Sequence, residues 1–273
     1  MPSVACIRFA LPKIPSPWSG RTSLVPDLLG RSIEKRMERI LIILPTYNER
    51  ENIERVVRGV LAQNERLEAL VVDDCSPDGT GRIAAEIAAG EPRAHVMRRT
   101  GPRGRGLAAR DGYRWALDNP RYAWIGEMDA DGSHDPAYLP AVFEAMPDAD
   151  MVICSRLLPG GGERGRPFWR RAATLAANAY IRRSLGLKVR DCTTGYRLMR
   201  REALAAMPLD RVACEGPAIV QEILYLFSRK GFRIREIPFT FVERAAGRSK
   251  LRFSTLLRSL RDVRGIRRRL RNA

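Results

Sequence analysis

Long apolar runs are missing from this sequence: no stretch approaches the roughly 20 apolar residues that a membrane-spanning helix requires. A secretory signal is missing as well, because Arg8, Pro12, Lys13, Pro15 and Pro17 interrupt the apolar residues of the N-terminal region. The expectation is a protein on the cytoplasmic side that does not cross a bilayer by itself. Cysteine is sparse. Cys6, Cys75, Cys154, Cys192 and Cys214 are scattered with no Cys-x-x-Cys pair, which argues against a zinc site or a disulfide framework and fits a reducing compartment. Gly-x-x-x-x-Gly-Lys-Ser/Thr is absent, so a P-loop nucleotidase is excluded. No internal repeat, helix-turn-helix, zinc finger or aromatic RNA-binding motif occurs either. Acidic residues are outnumbered, 31 against 48 basic ones, leaving a formal charge of +17. That excess favours polyanionic partners: nucleic acid, anionic lipid headgroups or phosphorylated substrates. A solvated basic surface is the plain alternative.

What is present reads as one globular chain of 273 residues. Residues 1–36 are rich in proline, serine and glycine without sustained periodicity, and are expected to form a flexible extension. Met37 stands just before the first strong strand, so a start there loses no core element. From Arg39 onward, apolar runs at Ile40–Leu44, Ala69–Val72, Ala94–Met97, Ala123–Met128 and Met151–Cys154 alternate with helical spacing. The helices are expected at Glu49–Gln63, Thr80–Ala89, Leu107–Leu117 and Pro136–Ala145. This β-α-β-α rhythm predicts an α/β fold, a mostly parallel sheet flanked by helices. Beyond it come a basic helix at Trp169–Leu185, a loop around Asp191–Arg197, a helix at Ile219–Phe227 and a strand pair near Arg233–Val242. The chain is divided as an extension (1–36), a main domain (37–253) and a basic amphipathic tail (254–273). In that tail Arg258, Arg261, Arg264, Arg267, Arg268, Arg269 and Arg271 interleave with Leu256, Leu257, Leu260, Val263, Ile266 and Leu270. It is expected to lie on an anionic membrane surface, with a frayed, solvated tail as the alternative.

In a parallel sheet, ligands collect beyond the carboxyl ends of the strands. Acidic residues fall there after the first strand (Glu49), the second (Asp73, Asp74) and the fourth (Asp129, Asp131). Two carboxylates at i and i+2 on a turn can face one divalent cation, Mg2+ or Mn2+, with Ser133 and His134 adding or orienting a ligand. A calcium loop is the rival reading, but Pro140 stands where its bidentate glutamate belongs. Gly160-Gly161-Gly162-Glu163-Arg164-Gly165 satisfies Gly-x-Gly-x-x-Gly, yet follows the fifth strand rather than the first, and reads as a mobile loop. Arg156, Arg170, Arg197, Arg244 and Lys250 sit in or beside loops, within reach of phosphate.

These motifs resemble a known family. Pro45-Thr46-Tyr47-Asn48-Glu49, Val72-Asp73-Asp74-x-Ser76-Pro77-Asp78-Gly79-Thr80 and Met128-Asp129-Ala130-Asp131-x-Ser133-His134 look like the family 2 glycosyltransferases, and closest to the polyprenyl (dolichol) phosphate mannose synthases. Ser155-Arg156, Arg170 with Thr174 and Asn178, Asp191-x-Thr193-Thr194-Gly195-Tyr196-Arg197, Gln221-Glu222, Glu236-Ile237-Pro238 and Phe241-Val242-Glu243-Arg244-x-x-Gly247-x-Ser249-Lys250 follow in the same order. The resemblance implies a GT-A fold and inverting mannosyl transfer from GDP-mannose to a polyprenyl monophosphate. By position it implies that Pro45, Tyr47, Glu49, Val72, Asp74, Asp129, Ala130 and Asp131 hold the nucleotide sugar. Asp129, Asp131 and Ser133 fall at the metal, although some relatives carry glutamine where Ser133 stands. Arg156, Arg170 and Thr174 match positions that receive the acceptor phosphate, with Asp131, Arg156 and Arg170 nearest the chemistry; Thr174 keeps the hydroxyl of the more usual serine. Arg244 and Lys250 match a mobile loop that closes on the donor. Peripheral placement on the cytoplasmic membrane face and a membrane-protein partner complete the expectations. The motifs say little about sugar hydroxyls, so UDP-glucose or another nucleotide sugar stays open, and a basic nucleic-acid-binding protein on the same fold is the reading from another class.

Overall fold

The computed structural model describes residues 38–243 and 253–270, and the backbone alone for 253–260. The extension expected at 1–36 and the loop residues Arg244 and Lys250 lie outside the described residues.

Strand β1 (Arg39–Thr46) is buried almost throughout, and β2 (Leu67–Asp73) entirely so, as strands covered on both faces must be. Alternate side chains divide between two apolar layers. Leu41, Ile43, Leu70 and Val72 enter one, while Ile40, Ile42, Leu44 and Val71 enter the other. Helices α1 (Ile53–Gln63) and α2 (Thr80–Gly90) follow β1 and β2. Next come β3 (Ala94–Arg98), α3 (Arg105–Asp118), β4 (Tyr122–Glu127), α4 (Leu139–Ala145) and β5 (Met151–Ser155). All five expected strands and four expected helices are present, with ends displaced by a few residues.

The second half departs from the simple rhythm. The segment at Gly162–Arg164, expected as loop, is a short strand, β6, which pairs in parallel with β9 (Thr240–Val242). Strand β7 (Arg197–Arg200) was not foreseen, because Arg-Leu-Met-Arg is too short and too charged to show a period of two. It lies antiparallel between β4 and β5, and β8 (Ile234–Pro238) closes the edge, giving the order β3-β2-β1-β4-β7-β5-β8. The sheet is therefore mostly parallel with one reversed strand. Gly126 on β4 makes that insertion possible, since a Cβ there would meet Ile42 and Leu198 side-chain carbons at 2.6 Å.

Helices α5 (Phe168–Leu185), α6 (Arg201–Ala205), α7 (Ile219–Arg229) and α8 (Phe253–Arg269) complete the chain. The separate amphipathic tail requires correction. Val263, Ile266 and Leu270 are buried in the same apolar layer as α5 and α7. Arg264 donates to the Tyr180 hydroxyl at 2.9 Å, and Arg269 to Glu222 at 3.1 Å. Residues 261–270 belong to the same compact unit as the described residues from Glu38 onward. Burial against the protein removes these side chains from water and leaves them covered, so they present no apolar face to a bilayer. Among the described residues no helix is long and apolar enough to cross a membrane. Ile266→Ala should lower the unfolding free energy in urea by about 2–5 kcal/mol, the cost of a buried cavity; a solvated tail would give almost no change.

Candidate active site

The carboxyl ends of β1, β2 and β4 lie side by side, and the loops that leave them are clasped together. The Asn48 and Glu49 backbone N–H groups donate to Ser76 Oγ and Thr80 Oγ1, both at 3.0 Å, so the turn after β1 is tied to the start of α2. Asp78 accepts the Thr80 and Arg50 N–H groups at 3.0 and 3.1 Å. Burial works against its charge, yet these hydrogen bonds hold its carboxyl below the usual range. Asp74 accepts the Gly104 N–H at 2.7 Å and pairs with Arg99, which also reaches Asp111 at 2.7 Å. Asp73 instead faces inward, where it accepts the Ser76 N–H at 3.2 Å and shapes the turn. Tyr47 packs under Arg103, whose guanidinium lies 4.9 Å from the ring centre and donates to the hydroxyl.

After β4 the Asp129–Ser133 turn carries two half-buried carboxylates. Asp131 Oδ1 accepts the Ser133 N–H at 3.0 Å and the Ser133 hydroxyl at 2.6 Å. Ser133 is buried and faces Asp131, so it tethers a carboxylate; the expectation that it ligates metal is corrected on that ground. His134 accepts the Asp129 N–H at Nδ1 (3.0 Å) and stacks on Tyr196 at 5.2 Å between ring centres. A ring nitrogen that accepts a backbone N–H carries no proton, and burial depresses the pKa of His134, so the imidazole is neutral and orients the turn.

Beneath this turn lies a buried ionic network that sequence reasoning missed. Arg105, at the start of α3, donates to Asp129 Oδ1 at 2.8 Å, and the same guanidinium stands 2.8 Å from Glu127 Oε1. Glu127 is fully buried and is also gripped by Arg197 at 3.0 Å and by the Tyr113 hydroxyl. Burial opposes the Glu127 charge, but the two arginines outweigh it and keep the carboxyl below its ordinary range. Arg197, expected within reach of a phosphate, is instead a core residue. The only sequence signal was an acidic residue at the end of an apolar strand, with no indication of its partners. Gly195 belongs to the same arrangement: a Cβ there would stand 2.3 Å from Arg105 Nη2.

A second basic cluster gathers around β6 and α5. Arg156 makes a two-pronged pair with Asp191, at 2.7 and 2.8 Å, and lies 3.4 Å from Glu163. Arg166 reaches Glu163 at 2.7 Å, the Thr174 hydroxyl at 3.1 Å and Glu243 at 3.2 Å. Arg170 donates to Glu243 at 2.9 Å. The Phe241 ring lies under both Arg156 and Arg166, at 5.7 and 4.9 Å from the ring centre. Arg156, Arg170 and Thr174 are thus brought together as expected, while Arg166 and Glu243 were not singled out beforehand. The same Phe241 ring meets His134 edge-on at 6.3 Å between ring centres, which sets the two zones side by side. The Val72 and Ala130 side chains are buried in the core, so the expected nucleotide contact at these positions is confined to their main-chain groups. Pro45 stays half-buried at the strand end.

Carboxylates beyond the carboxyl ends of a mostly parallel sheet, with arginines beside them, suit a fold that holds a phosphorylated ligand there. The chain's relatives give the class: a glycosyltransferase with a GT-A-like fold. The family model "Glycosyl transferase family 2" matches residues 41–207. Polyprenol monophosphomannose synthase of Mycolicibacterium smegmatis is 42% identical over 240 residues, 86% of this chain and 90% of that protein. Undecaprenyl-phosphate mannosyltransferase of Micrococcus luteus is 43% identical over 213 residues, 78% of this chain and 87% of that one. Dolichol-phosphate mannosyltransferase of Pyrococcus furiosus is 34% identical over 231 residues, and the match spans 62% of its length. Glucosyl-3-phosphoglycerate synthase from Mycobacterium tuberculosis, in complex with Mn2+ and UDP, shares the fold with a TM-score of 0.62 at 22% identity over 92% of this chain and 86% of that one. The chain belongs to glycosyl transferase family 2.

The buried pairs fix how stability responds to acid. Glu127 and Asp191 both titrate below their ordinary values in the folded chain; for Asp191, burial is outweighed by hydrogen bonds and charge from Arg156. Unfolded carboxyls titrate near about 4, so this stabilisation is whole above that pH and is lost as pH falls through the lower folded values. Glu127→Gln leaves two buried guanidinium groups short of a counter-charge. It should cost about 3–5 kcal/mol at neutral pH and flatten the acid limb of the stability profile.

Proposed function

We propose that this glycosyltransferase moves mannose from GDP-mannose to a polyprenyl monophosphate, inverting the anomeric centre, at the cytoplasmic face of a membrane. The observation that carries this reading is the adjacency of two zones of opposite character. One presents carboxylates at the strand ends; the other gathers Arg156, Arg166 and Arg170 around a hydroxyl, Thr174. The names of the relatives above support the same acceptor and the same sugar.

In this reading Pro45, Tyr47, Glu49 and Asp74 hold the nucleoside, with Val72 and Ala130 contributing main-chain groups. Asp129 and Asp131 fit a hard cation, because both offer half-buried carboxylate oxygens on one short turn. Among the described residues no group of three His, Cys, Asp or Glu side chains could hold a metal, and in this reading Asp129 and Asp131 share the cation with diphosphate oxygens and water. A divalent cation there, Mg2+ or Mn2+, supplies charge neutralisation for the departing diphosphate. Arg105 and Ser133 keep the two carboxylates in place. Arg244 and Lys250 are assigned to the donor by the resemblance alone.

The acceptor phosphate has a second pKa of about 6, so it arrives ionised and needs no general base. One of its oxygens forms the bond to the anomeric carbon while the bond to the diphosphate breaks, and the nucleoside diphosphate leaves with the electron pair. The side chains therefore position two anions and screen their repulsion. Glu243 now bridges Arg166 and Arg170 as a phosphate would, which makes it a stand-in for the acceptor.

Purified protein incubated with polyprenyl phosphate and either GDP-mannose or UDP-glucose tests the donor; mannosyl transfer only from GDP-mannose is expected. Asp131→Ala should reduce metal-dependent turnover at least ~100-fold with an unchanged circular dichroism spectrum. Glu243→Gln should lower the KM for acceptor phosphate by about 2- to 5-fold, since a partly exposed ion pair no longer competes. A raised KM would mean that Glu243 orients the arginines.

A further inference from the structure

Helix α5 begins without a buried face. From Phe168 to Ala177 no side chain is buried, and the residues that pack inward are Asn178, Ile181 and Leu185. Phe168 is 83% exposed, Trp169 65% and Leu175 57%; the other exposed large apolar residue among those described is Val242, at 40%. Single exposed apolar residues are ordinary, but a continuous stripe requires a partner. Phe168, Ala172, Leu175, Ala176 and Ala179 follow helical spacing and are all exposed, with Trp169 and Ala173 beside them.

Charge identifies the occupant. No acidic residue occurs between Arg164 and Arg190, while Arg164, Arg171, Arg182 and Arg183 are exposed along or beside the helix. An apolar stripe edged only by arginine matches a surface with an apolar interior and anionic headgroups. Trp169 suits the boundary of such a surface, because its ring is apolar with one polar N–H. Arg170 and Thr174 lie on the neighbouring line of the same helix, turned toward Glu243 and Arg166. A phosphate borne by a lipid in that leaflet would meet them at headgroup depth. The C-terminal helix α8, whose Val263, Ile266 and Leu270 are covered by the protein, has no comparable stripe between residues 261 and 270.

We propose that the N-terminal half of α5, rather than residues 261–270 of the C-terminal helix, docks this protein on an anionic phospholipid bilayer, with Phe168, Trp169 and Leu175 entering the headgroup–acyl boundary. The orientation rests on the polyprenyl phosphate acceptor proposed above; the docking itself does not. Flotation with phosphatidylcholine–phosphatidylglycerol vesicles should show the Phe168→Ser/Leu175→Ser variant bound ~10-fold more weakly than the parent. Arg267→Glu/Arg268→Glu on α8 should stay within about 2-fold. Brominated phospholipid should quench tryptophan fluorescence in the parent, and Trp169→Phe should abolish the quenching while retaining binding. The Phe168→Ser/Leu175→Ser variant should use a short, water-soluble polyprenyl phosphate at the parental rate and a vesicle-embedded one more slowly. Unchanged vesicle binding by that variant, quenching that survives Trp169→Phe, or binding only to vesicles that carry a reconstituted membrane protein would each overturn the proposal. If the parent transfers sugar to neither acceptor but its vesicle binding still depends on Phe168 and Leu175, the docking stands and the acceptor assignment falls.

Discussion

Glu127 is a carboxylate with no exposure to water, and two guanidinium groups and a phenol converge on it. A lone buried charge costs several kcal/mol, so this site exists only because Arg105, Arg197 and Tyr113 arrive together from α3 and β7. The site depends on that convergence. Arg197 ties the reversed strand to its neighbour β4, and Arg105 carries the same network upward to Asp129. The carboxylate on which a cation would depend is thus braced by the core of the sheet. A loop alone does not hold it.

That bracing separates the two zones of the site in kind. Around the turns after β1 and β2, backbone N–H groups and capping side chains clasp the chain with ordinary hydrogen bonds. Around β6 and α5, arginines are matched by Glu163, Asp191 and Glu243. Arg156 and Asp191 are almost wholly enclosed and form a fixed two-pronged pair, whereas Arg170 and Glu243 are partly open to water. Fixed and exchangeable pairs side by side suit a site that must keep its shape while one anion replaces another.

The C-terminal helix buries Val263, Ile266 and Leu270 where its spacing suggested an outward stripe, while the first half of α5 leaves Phe168, Trp169 and Leu175 exposed. Both carry apolar residues at helical spacing among many arginines, and the spacing alone cannot tell which stripe meets protein. The fold decides it by supply of neighbours. Residues 261–270 of α8 find α5 and α7 beneath them. From Phe168 to Ala177, by contrast, only the polar line of α5, Arg170 and Thr174, meets a neighbour among the described residues, and no side chain there is buried.

The parallel strands, the helices between them and the acidic residues at the strand ends were legible because each depends on local patterning: burial of both sheet faces, helical spacing, and a turn after each strand. Ordered motifs from Pro45 to Lys250 likewise carried the family. Strand β7 was not legible, since four residues flanked by arginine have no period, and its pairing depends on the gap at Gly126. The partners of Glu127, the inward turn of Ser133 and the grouping of Arg166 with Arg170 and Glu243 were equally hidden. Those contacts join residues far apart in the chain, so chain closure decides them, and no local preference encodes which distant charge will be within reach.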